Sequence, residues 1–156
     1  MMHINLVLES VRPVVEKASH VKINFEKIKE VAVMTSLAFK LARAFLPGAL
    51  TIVLKKRDII PDIVAGETIA IRVPNNQIAR EIASEEPITA TSANIHGGEE
   101  PVTIAMAKKQ LENEVDMYID GGTLPGKPST IVDATQEELR IIREGVIKKE
   151  RLYGAL

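Results

Sequence analysis

The chain contains no cysteine and no tryptophan, and aromatic residues make up only 3% of its 156 residues. Without cysteine it can form no disulfide, no thiolate metal site and no cysteine nucleophile. With so few aromatics, its core must be assembled mostly from Ile, Val, Leu and Ala. Long apolar runs are missing too, and nothing approaches the ~20 residues of a membrane-spanning helix. The first residues lack the basic start, apolar run and small-residue cleavage site of a secretory leader. A cytoplasmic protein is therefore expected. A large charge of either sign is also absent: the formal net charge is −1. That disfavours non-specific nucleic-acid binding by the chain as a whole and leaves room for a local basic face. What the chain does have is 46% apolar residues, enough to bury a core rather than stay disordered. Its length suits one domain, residues 1–156.

Strand-like and helix-like patterns alternate along the sequence. Residues 4–8 read as a buried strand, and residues 9–19 as a short helix with Pro13 near its start, where a missing N–H is harmless. Asn24 is placed to cap a helix over 25–31. Ser36 is the expected cap of the next helix, whose stripe at helical spacing (Leu37, Lys40, Leu41, Ala44 and Phe45) stops at Pro47-Gly48. Strands are expected over 50–55, 68–73, 88–91, 117–119, 129–132 and 139–143. Helices are expected over 76–84, 103–112 and 146–153. Strands alternating with helices in this way predict a mixed α/β sheet with flanking helices.

Five features bear on chemistry. Ser92 and Asn94 end a short β-prone run just before Gly97-Gly98 and a helix start. Free backbone N–H groups and the positive end of a helix converge at such a place, which suits an anion or polar ligand. Closing a turn by bonding their own backbone is the competing role for both side chains. Arg72 ends an apolar strand before Pro74, where a guanidinium could grip a carboxylate or phosphate with two parallel bonds; a solvated edge charge is the plain alternative. Asp120-Gly121-Gly122 and Gly126-Lys127-Pro128-Ser129-Thr130 form glycine-rich turns. They lack P-loop spacing and lead into a strand, so Ser129 is the one residue there placed to do more. Arg143-Glu144-Gly145 closes the last strand, with a salt bridge from Arg143 to Glu144 as the alternative to a ligand role. His3, His20 and His96 have no partner at metal-ligand spacing. No G-x-S-x-G nucleophile elbow occurs.

Six segments taken in order carry a resemblance: Phe45-Leu46-Pro47-Gly48-Ala49-Leu50-Thr51, Ile71-Arg72-Val73-Pro74, Thr91-Ser92-Ala93-Asn94 with Gly97 behind it, Asp120-Gly121-Gly122, Pro128-Ser129-Thr130-Ile131-Val132-Asp133, and Ile142-Arg143-Glu144-Gly145. Together the sequence resembles the YrdC-like family, the threonylcarbamoyl-AMP synthases of tRNA modification. The resemblance implies an α/β fold, a single open twisted mixed sheet with a concave basic face of the double-stranded-RNA-binding type. It implies condensation of L-threonine, bicarbonate and ATP to threonylcarbamoyl-adenylate and pyrophosphate. That product supplies N6-threonylcarbamoyladenosine beside the anticodon. On the same basis Arg72, Ser92 and Ser129 would hold threonine. Thr68, Asn94, Val102 and Arg143 would touch ATP, and Mg²⁺ is expected with the nucleotide.

The family's first segment carries a Pro-Thr-Asp-Thr stretch and a Lys-x-Arg pair, and neither has a counterpart here. The resemblance therefore implies a form lacking the family's first tens of residues. The missing pair would take away charge-assisted bonds worth about 1.5–3 kcal/mol each. Uncovered apolar sheet surface would favour a homodimer. Expected partners are tRNA or other structured RNA and the proteins of tRNA modification. The alternative function is a non-catalytic module of the same fold that binds double-stranded or structured RNA. A carbamoyl-transfer domain of hydrogenase maturation proteins has a similar fold, but the zinc-finger and acylphosphatase modules of that group are absent.

Overall fold

The computed structural model describes residues 25–112, 114–124 and 126–156. The expected strand over 4–8, the helix over 9–19 and the Asn24 cap lie outside the described residues. Among the described residues, 25–80 together with 127–156 form one compact unit, and 81–126 belong to another.

The larger unit holds a four-stranded mixed sheet of β1 (Leu50–Lys55), β2 (Thr68–Ile71), β3 (Thr130–Asp133) and β4 (Arg140–Arg143), in the order β2-β1-β3-β4. β1 runs antiparallel to β2 and parallel to β3, and β3 runs antiparallel to β4. β1 is buried at its first five positions, as befits a central strand covered on both faces. Alternation sends Leu50, Ile52 and Leu54 to one face, where they meet Val132 and Ala134. That face packs on α1 (Phe25–Val31) and α2 (Ser36–Phe45) and on Ile147 and Leu152 near α5 (Lys149–Tyr153). Each such fully buried Leu contributes about 1.5–3 kcal/mol. The core is aliphatic, as the shortage of aromatics requires.

The start of α2 differs from expectation by one residue. Thr35, not Ser36, is the cap: its hydroxyl accepts from Ala38 N–H at 3.0 Å. The same hydroxyl donates to the Ala134 carbonyl at 3.0 Å, which ties the helix to the end of β3. Ser36 N–H and Leu37 N–H both donate to the Glu137 carboxylate, at 2.9 and 3.0 Å. A residue about a hundred positions away thus fills the orphan donors of this helix. β2 stops at Ile71, two residues short of the expected Val73. Pro74 has no N–H to extend the ladder, and the Val73 carbonyl turns to accept from Gly48 N–H at 2.8 Å.

α3 (Gln77–Ile82) leads into the second unit, which contains α4 (Ile104–Leu111). Thr103 caps α4, its hydroxyl accepting from Met106 N–H at 3.3 Å. The strands expected over 88–91 and 117–119 are not formed. Only Thr91 and Ile119 occupy isolated bridge positions. The reason lies in burial and pairing. Ile88 and Met117 are exposed, and pairing in each stretch stops at a single bridge instead of continuing into a ladder. Ala93, Ala107 and Ile119 are its buried apolar residues.

Candidate functional site

Sheet register assembles one end of the larger unit into a polar cluster. Val53 pairs with Ala70 and Ile52 with Ile71, so Arg72 comes next in line opposite Thr51. Thr51 pairs with Ile131, and Ile131 with Arg143. Arg72, Thr51, Ile131 and Arg143 therefore form one row across four strands, on the face opposite the helical core. With strands 4.7–4.9 Å apart, the two arginines stand ~14 Å apart at their backbones. Ser129 immediately precedes β3 at the same end.

Hydrogen bonds fix the polar residues of this end. Arg72 Nε donates to the Gly48 carbonyl at 3.1 Å. Arg143 donates to the Ser129 carbonyl through Nε at 3.3 Å and its terminal nitrogen at 2.9 Å. The two anchoring segments are themselves joined, Thr130 N–H donating to the Ala49 carbonyl at 2.9 Å. Below them the Thr51 and Ser129 hydroxyls share a buried hydrogen bond of 2.9 Å. Gly145 closes the end: its N–H donates to Thr130 Oγ1 at 2.9 Å. A Cβ at this position would fall 2.7 Å from the Ser129 carbonyl carbon and would also strike the Pro128 carbonyl oxygen.

The two arginines at this end bond backbone carbonyls rather than carboxylates. Glu144 does not pair with Arg143; it accepts from Lys148 Nζ at 2.8 Å and from Lys149 N–H at 3.2 Å. Among the described residues neither Arg72 nor Arg143 has a carboxylate partner. Arg72 has exposed surface, yet packing around its guanidinium strips enough water to lower its pKa. It stays charged at physiological pH all the same, because an arginine pKa starts so high. Two anchored guanidiniums with donors to spare, set over a buried hydroxyl pair, make a receptor for anionic oxygens.

Thr68 falls elsewhere. It lies on the same sheet face as Arg72 but pairs with Lys55 at the other end of β2, ~13 Å along the strand. Ser92, Asn94 and Val102 belong to the second unit. There the Asn94 amide nitrogen donates to the carbonyls of Ile95 and Gly98, both at 3.0 Å, and so closes the loop. Its Oδ1 is buried and has no partner among the described residues. The amide nitrogen thus takes the turn role read from the sequence. Gly97 takes a positive φ of 78° in this loop, a conformation that favours glycine. Ser92 is half-buried, with no side-chain partner among the described residues. The Val102 carbonyl accepts from Leu124 N–H at 2.8 Å. Asp120 accepts from Gly122 N–H at 2.8 Å, an Asx turn. His96 is exposed; His3 and His20 lie outside the described residues.

Sequence reasoning did not single out Thr51 or the Gly48 carbonyl as parts of this end. For Thr51 a signal existed: it is a hydroxyl on the second position of an otherwise apolar central strand, pointing away from Leu50 and Ile52. The Gly48 carbonyl has no signal in side-chain chemistry, since a backbone acceptor is set by the chain path alone.

Comparison with known proteins agrees on one family. The Sua5/YciO/YrdC family model, described as telomere recombination, matches residues 12–145. A Methanocaldococcus jannaschii protein provisionally named threonylcarbamoyl-AMP synthase is 46% identical over 127 residues, covering 81% of this chain and 61% of the relative. The threonylcarbamoyl-AMP synthase of Pyrococcus abyssi is 34% identical over 135 residues, covering 83% of this chain and 40% of its own. The structure of P. abyssi Sua5 complexed with L-threonine matches with a TM-score of 0.79 at 33% identity, over 85% of this chain and 41% of that one. Escherichia coli YciO matches with a TM-score of 0.73 at 31% identity, over 80% of this chain and 64% of that one. The chain spans less than two thirds of the length of each of these relatives. The sheet order, the arginine row and these matches lead to one conclusion: the chain belongs to the Sua5/YciO/YrdC family.

Proposed function

We propose that this chain carries the substrate-binding sheet of a threonylcarbamoyl-AMP synthase, which condenses L-threonine, bicarbonate and ATP to threonylcarbamoyl-adenylate and pyrophosphate for tRNA modification. The observation that carries the reading is the row of Arg72 and Arg143 over Thr51 and Ser129, two cations with no carboxylate partner among the described residues. Adenylyl transfer depends on positioning and charge neutralisation more than on an acid–base pair, and this row supplies both. Arg72 and Ser129 are assigned to threonine and Arg143 to ATP phosphate; on the family resemblance alone, Ser92 is assigned to threonine and Asn94 and Val102 to ATP. Thr68, at the far end of the same face, would be reached only by a ligand extended along β2. Among the described residues no group of three or more His, Asp or Glu could hold a metal ion. Mg²⁺ would accordingly be held mainly by ATP phosphate oxygens and arrive as part of the substrate.

The reading extends to tRNA, the proteins of tRNA modification and a homodimer as partners, and to the cytoplasm as location. The RNA-binding alternative has less support, because the basic run at the end of β1 is largely engaged within the protein. Lys56 Nζ bonds the Ile60 carbonyl and the Asp62 carboxylate, and Arg57 Nε bonds the Lys29 carbonyl at 2.6 Å. The test is pyrophosphate release from ATP that requires both L-threonine and bicarbonate. Arg72→Ala and Asn94→Ala are each expected to lower it at least tenfold. Release that ignores threonine, or salt-sensitive RNA binding without nucleotide binding, rejects the proposal.

A further inference from the structure

The Thr51–Ser129 hydroxyl pair has one proton too many for the bonds it makes. Each hydroxyl carries one proton and can donate once. The pair is joined by a single hydrogen bond of 2.9 Å, and neither hydroxyl has a second partner among the described residues. Thr51 is 3% exposed and Ser129 7%, so solvent can do little for the spare donor. A buried donor without an acceptor is costly. The 2.9 Å contact fits either direction, but the surroundings of the two hydroxyls differ. Thr51 lies inside β1, between Arg72 on one side and Ile131 on the other, and neither side chain offers it an acceptor. Ser129 lies just outside β3, where its own carbonyl holds the Arg143 guanidinium. If Thr51 donates to Ser129, the Thr51 proton is satisfied, and the Ser129 proton is turned out toward whatever the two arginines attract.

We propose that Thr51 is a positioning residue: it commits the Ser129 hydroxyl to act as a donor, and the acceptor is the carboxylate of the bound amino acid. The proposal rests on the threonylcarbamoyl-AMP synthase reading and adds to it the polarity of one contact and the residue that sets it. Without the Thr51 hydroxyl, Ser129 keeps its place but nothing fixes the rotation of its hydroxyl, and the carboxylate loses an aligned donor. A carboxylate and a phosphate both present anionic oxygens, so threonine and ATP must be measured separately.

Calorimetric titration of the whole chain with L-threonine and with ATP provides the test, using Thr51→Val, Thr51→Ser, Ser129→Ala and the Thr51→Val/Ser129→Ala double variant. Loss of one aligned hydrogen bond should weaken threonine binding by about five- to tenfold in Thr51→Val. Thr51→Ser restores it, and ATP affinity is unchanged. In steady-state assay KM for threonine rises and kcat does not fall. The double variant binds no worse than Ser129→Ala alone, because the two hydroxyls act as a unit. Additive losses, equal losses for threonine and ATP, or undiminished threonine binding in Thr51→Val would each overturn the assignment of Thr51. Wild-type protein that binds no threonine at all would instead overturn the functional reading, and this inference with it.

Discussion

Gly145 shows how little freedom a single position has at the arginine-bearing end. A methyl group there would lie 2.7 and 2.8 Å from the Ser129 carbonyl carbon and oxygen, and would press on the Pro128 carbonyl too. Those are backbone atoms, which cannot rotate away as a side chain tip would. Gly145→Ala is expected to cost about 1–3 kcal/mol, as overpacking does. Urea denaturation measures that cost, and a change within error of zero would mean the end of β4 is free to shift. The same variant should weaken ligand binding, since the Ser129 carbonyl is what Arg143 holds. At this scale the sequence was legible where side-chain chemistry is unusual for its place. Arg72, Arg143 and Ser129 stand out on their own terms as polar groups at strand ends. The Arg143–Glu144 pair was the wrong pairing, because Glu144 turns to Lys148 four residues on, a geometry that residue order alone does not disclose.

Among the elements, α2 depends most on contacts from outside itself. Thr35 and Glu137 together satisfy the N–H groups of Ser36, Leu37 and Ala38. Thr35→Ala should destabilise the protein by about 1 kcal/mol, the usual cost of a lost cap, and by more if the bond to Ala134 also counts. Ser36→Ala should cost only a few tenths of that. Thermal unfolding of the two variants separates them, and equal losses would restore Ser36 as the cap. Both residues are good capping types, so the sequence could not choose between them; the carbonyl of Ala134 does. Strands are readable where they are central: β1 is mostly apolar and β3 carries Ile131 and Val132 at its middle, and these positions are buried. The stretches over 88–91 and 117–119 have the right composition but no ladder beside them, and pairing is a property of neighbours rather than of the stretch itself. The strand ends were misread wherever a proline or a turn stopped the hydrogen bonding early.

For the molecule as a whole, stability in acid should follow the segment after β3. Burial raises the Asp133 carboxyl, but hydrogen bonds from Thr135 N–H and hydroxyl and from Arg140 outweigh it, and the pKa falls below the ordinary Asp value. Glu137 is lowered by the N–H groups of Ser36 and Leu37. Both groups bind fewer protons folded than unfolded. Their contribution is complete above the ordinary carboxylate range and is lost as pH falls through the lowered folded values. Chemical denaturation from neutral pH into that acid range should show a shallower decline for Glu137→Gln than for the parent chain; parallel curves would show that the contact carries no linkage. The pairing of the sheet also has a consequence for synthesis. Leu50 of β1 meets Thr130 of β3, eighty residues later. At ribosomal rates of about 5–20 residues per second, roughly 4–16 s pass between the emergence of one and the other. The hairpin of β1 and β2 can close early, but the inner rim of β1 has to wait unpaired. An apolar strand left open for seconds is a place where nascent chains stick to one another, so the yield of native protein should rise with any factor that shields that rim until the second half of the sheet arrives.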